Sequence, residues 1–225
     1  VSILTPRHAI WYYLLVEYYS EESTMAILEH EVRSVSDAAV TGLNRRLFSR
    51  REYQAMAKAG IFDGQRVELI EGEIIEMAPI GDAHAAVAEP LVDLLKAAFG
   101  QGFTVRNQAP IALGSSRKPS EPQPDIAVAA GSWRDYVSRK PRVVEIRLVV
   151  EIADSSLKND RKTKAALYAA AGVAEYWIVN LIDKQLEVHR EPTAGVYSSI
   201  DYYRPGEFVT PLNATGSVSI TDFIP

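Results

Sequence analysis

Residues 147–180 read RLVVEIADSSLKNDRKTKAALYAAAGVAEYWIVN, three elements in close succession. Arg147 to Ala153 is an apolar, β-rich run interrupted by one carboxylate, Glu151. Residues 157–171 are rich in Ala and Lys and read as a helix that Gly172 closes. Glu175 to Asn180 is a second apolar run with aromatic and β-branched residues, hence a strand. A strand, a helix and a strand joined this closely imply one parallel pair with the helix packed on the sheet.

Working towards the N-terminus, Asp125 to Ala129 is a short apolar strand, and Phe103 to Leu113 reads as another. A Gly/Ser/Pro loop, GSSRKPSEPQP, separates them at 114–124. Asp82 is placed to cap a helix that carries Val87, Leu91, Leu94, Leu95 and Ala98 on one face and ends at Gly100. Before it, Glu71-Gly72 between two β-rich runs, 67–70 and 73–77, signals a hairpin. Ser49 with Glu52 forms a capping box for a helix over 50–59 that Gly60 stops. Towards the C-terminus, Gln185 to Arg190 reads as the hairpin partner of Glu175 to Asn180, followed by short strands and loops. From residue 82 the order is αβββαβ, an α/β (α+β) mixed sheet flanked by helices, with an N-terminal β-hairpin.

The ordered domain is expected at 47–225. Residues 1–46 read as a leader, its first 24 residues lying upstream of Met25, the expected biological start. The 225 residues are ample for one large core. The net charge of −5 argues against a generic nucleic-acid coat. Residues 100–164, however, hold twelve Lys and Arg against seven Asp and Glu, a local excess of five positive charges. The absence of cysteine excludes disulfides, thiolate zinc sites and cysteine nucleophiles. The four histidines (His8, His30, His84 and His189) are scattered, so a metal would sit on carboxylates. The longest strongly apolar stretch, Ala9 to Val16, is too short to span a bilayer, and the chain reads as cytoplasmic.

Two carboxylates carry the chemistry. Asp125 opens a strand after Pro124, and Glu151 sits among apolar neighbours where an unpaired charge costs several kcal/mol. A divalent cation shared between them would compensate, as would an ion pair with Arg147 or a helix lysine, or a strand end near solvent. On the helix, Asp160, Lys164 and Tyr168 are spaced i, i+4, i+8 and share a face, so that Asp160 can pair with Lys164. Lys162 points elsewhere.

These residues resemble the PD-(D/E)XK nuclease superfamily through Pro124-Asp125 and Val150-Glu151-Ile152. More closely, three stretches are similar to the Uma-two family of restriction-endonuclease-like proteins. They are residues 67–73, residues 148–156, and 160–168 with 171–179. The resemblance implies the restriction-endonuclease-like fold and hydrolysis of DNA phosphodiester bonds with Mg2+ or Mn2+. It implies Asp125 and Glu151 as metal ligands, and Lys164 in place of the lysine that the superfamily carries where Ala153 stands. His84, at the second position of the capped helix, and the hairpin acids Glu68 and Glu73 match accessory positions; Lys162, on a different face, is expected to serve as a general phosphate contact or a solvated charge. Duplex DNA is the implied partner and a homodimer the expected unit, with Tyr197, Tyr202, Tyr203 and Phe208 as candidate interface residues. A catalytically inactive module that binds nucleic acid or protein is the alternative, and a hydrolase of another phosphoester the third.

Overall fold

The computed structural model describes residues 45–115 and 118–224. The expected leader, with His8, His30 and Met25, lies outside the described residues except at its last two positions. Helix α1 spans Arg50–Lys58, with both halves of the Ser49–Glu52 capping box formed. Strands β1 (Val67–Ile70) and β2 (Glu73–Glu76) make the hairpin. Its turn needs positive φ at both Glu71 (49°) and Gly72 (89°), which glycine adopts without strain.

Helix α2 spans Asp82–Phe99. Its N-cap is Gly81 rather than Asp82, and no side chain caps it. Asp82 is the first helical residue, where its charge favours the positive end of the helix dipole. His84 therefore stands third, not second. The expected strand 103–113 is shorter: β3 is Phe103–Asn107, because Gln108 turns to φ 45° and Pro110 follows. Short pairings at β4 (Leu113–Gly114) and β5 (Pro119–Ser120) come next, then β6 (Ile126–Ala130) and β7 (Ile146–Ala153).

Residues 157–171 are helical and form α3, but with a wide turn at Asp160–Lys164, where the Ala165 N–H reaches back to the Asp160 carbonyl. Such π-turns recur at functional sites. Gly172 closes the helix at φ 83°. Strands β8 (Glu175–Asn180), β9 (Gln185–Thr193) and β10 (Val196–Tyr203) complete the sheet, and β11 (Phe208–Val209) pairs with β12 (Val218–Ser219) outside it.

The six-stranded sheet has the order β10-β9-β8-β7-β6-β3. Only β7 and β8 run parallel, as the strand–helix–strand reading requires. Side chains alternate between two cores. Val128, Leu148, Val150, Ile152, Trp177 and Val179 pack with Leu91 and Leu95 of α2. Val149, Ala153, Tyr176 and Ile178 pack with Ala165, Tyr168 and Ala169 of α3. By that alternation Glu151, between Val149 and Ala153, faces α3. Among the described residues no helix is long and apolar enough to cross a membrane.

Candidate active site

Four carboxylates and one ammonium are buried together where β7 ends. Glu68, Asp125, Glu151 and Asp160 are each at most 8% exposed, as is Lys164. They line one cleft of about 510 Å3, walled by the hairpin, the start of α2 and the first turns of α3.

Backbone geometry places the first pair. Asp125 Oδ2 accepts the Ile152 N–H at 2.7 Å, and the Asp125 N–H donates to Glu151 Oε2 at 3.4 Å. Neighbouring strands β6 and β7 thus lock the two carboxylates together, with Ile126 opposite Val150 in the register. Glu151 Oε1 accepts from the Tyr168 hydroxyl at 2.6 Å and lies 3.5 Å from Lys164 Nζ. Lys164 also holds Glu68 at 2.8 Å. Glu68 is turned inward because the hairpin docks on the segment before β6. There the Glu121 N–H donates to the Leu69 carbonyl, and the Gln123 N–H donates to Glu68 Oε2.

Burial pushes the Glu151 carboxyl up to about 8, with Lys164 opposing and Asp125 reinforcing the rise. Burial likewise lifts Asp160 to about 6, against the hydrogen bond that it accepts from Ser156 Oγ at 2.6 Å. Desolvation opposes the charge on Lys164, but Glu151 and Glu68 outweigh it and raise its pKa. The lysine therefore stays protonated while the glutamate at its side tends to neutral.

The expected site residues divide cleanly. Asp125, Glu151, Lys164, Glu68 and His84 line the cleft. Lys162 is exposed and does not, and neither does Glu73, which sits on β2. Arg147 does not pair with Glu151; it donates to the Val144 carbonyl at 2.9 Å. Asp160 takes its hydrogen bond from Ser156, and Lys164 acts on it through charge rather than by direct contact. The depth of Asp160 and the Tyr168 hydroxyl bond to Glu151 were not readable from spacing alone; the shared helix face was the available signal. Among the expected interface residues, Tyr197 is a core residue that donates to the Val173 carbonyl, and Tyr203 packs against the other core. Tyr202 and Phe208 are exposed.

Among the described residues, no group of three or more His, Asp or Glu side chains converges as a ready-made metal cage. The donors that do converge are Asp125 and Glu151. His84 Nε2 lies 2.8 Å from Asp125 Oδ1, so the imidazole sits against that carboxylate at the start of α2. Four buried acids facing one buried lysine leave an excess of negative charge. This donor set fits a hard divalent ion that keeps most of its waters and takes one or two protein carboxylates, and does not fit a zinc cage.

A mixed sheet in the order αβββαβ, with an acidic cleft at the end of its central parallel strand, defines a restriction-endonuclease-like fold. A family model described as "Putative restriction endonuclease" (Uma2) matches residues 50–221, and the chain belongs to that family. The crystal structure of a "putative nuclease belonging to DUF820" from Anabaena variabilis superposes with a TM-score of 0.62 at 17% identity. The match covers 79% of this chain and 97% of that one, and likeness at this identity speaks to the fold. No curated protein matches the chain.

Proposed function

We propose that the protein is a metal-dependent endonuclease that hydrolyses DNA phosphodiester bonds, with duplex DNA as substrate and a two-fold dimer as the working unit. The observation that supports this reading most is the pairing of Asp125 with Glu151 beside the charged Lys164 in an open, negatively charged cleft. Asp125 and Glu151 would hold Mg2+ or Mn2+. Such an ion, when bound, polarises a phosphoryl oxygen and lowers the pKa of a water.

The remaining steps fall to the chain's own residues. The Ile152 N–H and the Tyr168 hydroxyl fix the two carboxylates in orientation. Lys164 keeps its proton at Nζ and offers positive charge where charge develops on the phosphate. His84 Nε2, 2.8 Å from Asp125 Oδ1, sets the imidazole at the carboxylate that would hold the ion, where it can steady that carboxylate or meet a phosphate oxygen. Ala153 cannot supply an ammonium, so the helix lysine is the group in reach of Glu151.

A second reading, a nuclease fold that binds nucleic acid without cutting it, is favoured by the bond that already occupies Lys164 with Glu68. Plasmid DNA with Mg2+ or Mn2+, and a chelator control, separates the two. Cleavage that needs the ion and is lost in Asp125→Asn and Glu151→Gln supports the nuclease. Intact plasmid under every ion, with retention on a DNA column, supports the binding module.

A further inference from the structure

A second cavity, of about 540 Å3, opens between α1, β3 and the loop 131–142, and shares no lining residue with the acidic cleft. Its charge is the reverse. Arg50, Arg106, Arg139 and Lys140 line it against a single carboxylate, Glu121.

Most of these cations are spoken for. Arg50 donates to the Ser120 carbonyl at 3.3 Å and lies 3.6 Å from Glu121. Lys140 Nζ pairs with Glu121 Oε2 at 2.7 Å. Arg139 grips Glu145, which lies outside the cavity lining, with two bonds of 2.8 and 2.7 Å. Arg106 is different. Among the described residues its guanidinium has no hydrogen bond and no ion pair; its Nε, like that of Arg50, is buried without an acceptor, but Arg50 has Glu121 beside it.

The fold explains how it comes to be there. Val105 turns into the α2 core, so its neighbour Arg106 on β3 faces the other side of the sheet. There its guanidinium carbon lies 5.5 Å from the centre of the Tyr136 ring, and that of Arg139 lies 5.0 Å from the same ring. The Tyr136 hydroxyl donates to the Ala130 carbonyl, which holds the ring in place. Burial lowers the Arg106 pKa, the sign of a cation that has lost water and gained no counter-charge. Even with Glu145 counted, two positive charges are left over. A part-buried guanidinium with unused donors suits a tetrahedral oxyanion, which it can grip with two N–H groups at once.

We propose that this cavity is a second, anion-binding site that takes a phosphate group, with Arg106 as the residue that meets it. Its chemistry admits a phosphate of a nucleic-acid strand or a free phosphate ion. The site is separate from the metal chemistry proposed for Asp125 and Glu151 and stands or falls without it.

The test uses the full chain in chloride buffer with a chelator, so that no cleavage intervenes. Inorganic phosphate and a labelled duplex oligonucleotide are the probes, and wild type is compared with Arg106→Gln and Glu151→Gln. Phosphate is expected to raise the melting temperature of wild type and Glu151→Gln and to leave Arg106→Gln unmoved. A backbone phosphate as the natural occupant adds weaker duplex binding in Arg106→Gln, with the slope of log K against log salt reduced by about one. A free ion leaves duplex binding of that variant unchanged. Should Arg106→Gln not fold, the Arg106 Nε–Hε resonance of wild type reports directly, and phosphate is expected to shift it. A melting temperature and an Nε–Hε resonance that ignore phosphate, with equal duplex binding in wild type and Arg106→Gln, overturn the proposal.

Discussion

Lys164 Nζ lies 2.8 Å from both carboxylate oxygens of Glu68, across 96 residues of sequence. This contact ties the N-terminal hairpin to the helix that follows the central strand. Both groups are buried, so each compensates part of the other's lost hydration, with Glu151 also acting on the lysine. Glu68→Ala is expected to destabilise the fold by about 3 kcal/mol, because it leaves Lys164 buried with only a largely neutral Glu151. Glu68→Ala with Lys164→Met should recover most of that loss. Urea denaturation measures both, and a loss below about 1 kcal/mol in the single variant would show the pair to be solvated.

The lysine assignment predicts an asymmetry between two neighbours. Lys164→Ala should reduce metal-dependent cleavage by about a hundredfold or more, the scale of losing one group that stabilises transition-state charge. Lys162, exposed and outside the cleft, should change cleavage little on replacement by Ala and at most weaken DNA binding. Equal, small effects from both substitutions would move the chemistry away from α3.

Ala153 lies two residues after Glu151 on the same face of β7 and in the same core as Tyr168. Ala153→Lys in the Lys164→Ala background should restore part of the activity, because both positions bring an ammonium to the same carboxylate. Single-turnover cleavage rates decide it. A double variant that folds, by circular dichroism, yet stays as slow as Lys164→Ala would show that the two positions are not equivalent.

Acid titration has a defined sign here. Glu151 and Asp160, ordinarily near 4.5 and 3.8, are raised to about 8 and about 6 in the folded protein. Between those limits the folded state binds more protons than the unfolded chain, so the stability of the metal-free protein should fall as pH rises from about 4 to 8. Glu151→Gln should flatten the upper part of that slope. At pH 7 a divalent ion bound at Asp125 and Glu151 should expel about one proton. Calorimetry in buffers of different ionisation enthalpy reads this directly, and binding without proton release would place the ion elsewhere.

Cutting both strands of a duplex with one site per chain calls for two-fold symmetry. Of the four aromatics considered for the interface, only Tyr202 and Phe208 are exposed, at 53% and 67%. Tyr202→Ser with Phe208→Ser should shift a dimer towards monomer in light scattering without lowering the melting temperature of the monomer. A wild-type monomer at micromolar concentration would sink the dimer proposal.

Much of the architecture was legible because its causes are local. The capping box at Ser49, the Glu71-Gly72 turn, the Gly172 stop and the apolar runs around Glu151 act within a few residues, and spacing reveals them. The same spacing placed Lys164 and Tyr168 on one helix face and Lys162 off it, and set Glu151 apart as a carboxylate in an apolar strand. Three features escaped it. The break after Asn107 depends on Gln108 adopting positive φ, and the Gly81 cap is a property of the chain's path into α2. The wide turn at Asp160–Lys164 departs from the regular helical period. Spacing along the chain marks which elements form and which side chains face the core, and it marks Glu151 as a carboxylate among apolar neighbours; that Glu68 meets Lys164, and how far the Glu151 carboxyl is shifted, arise only when distant segments pack together. Periodicity is set by neighbours along the chain, whereas desolvation and charge pairing depend on what distant segments bring to the same point.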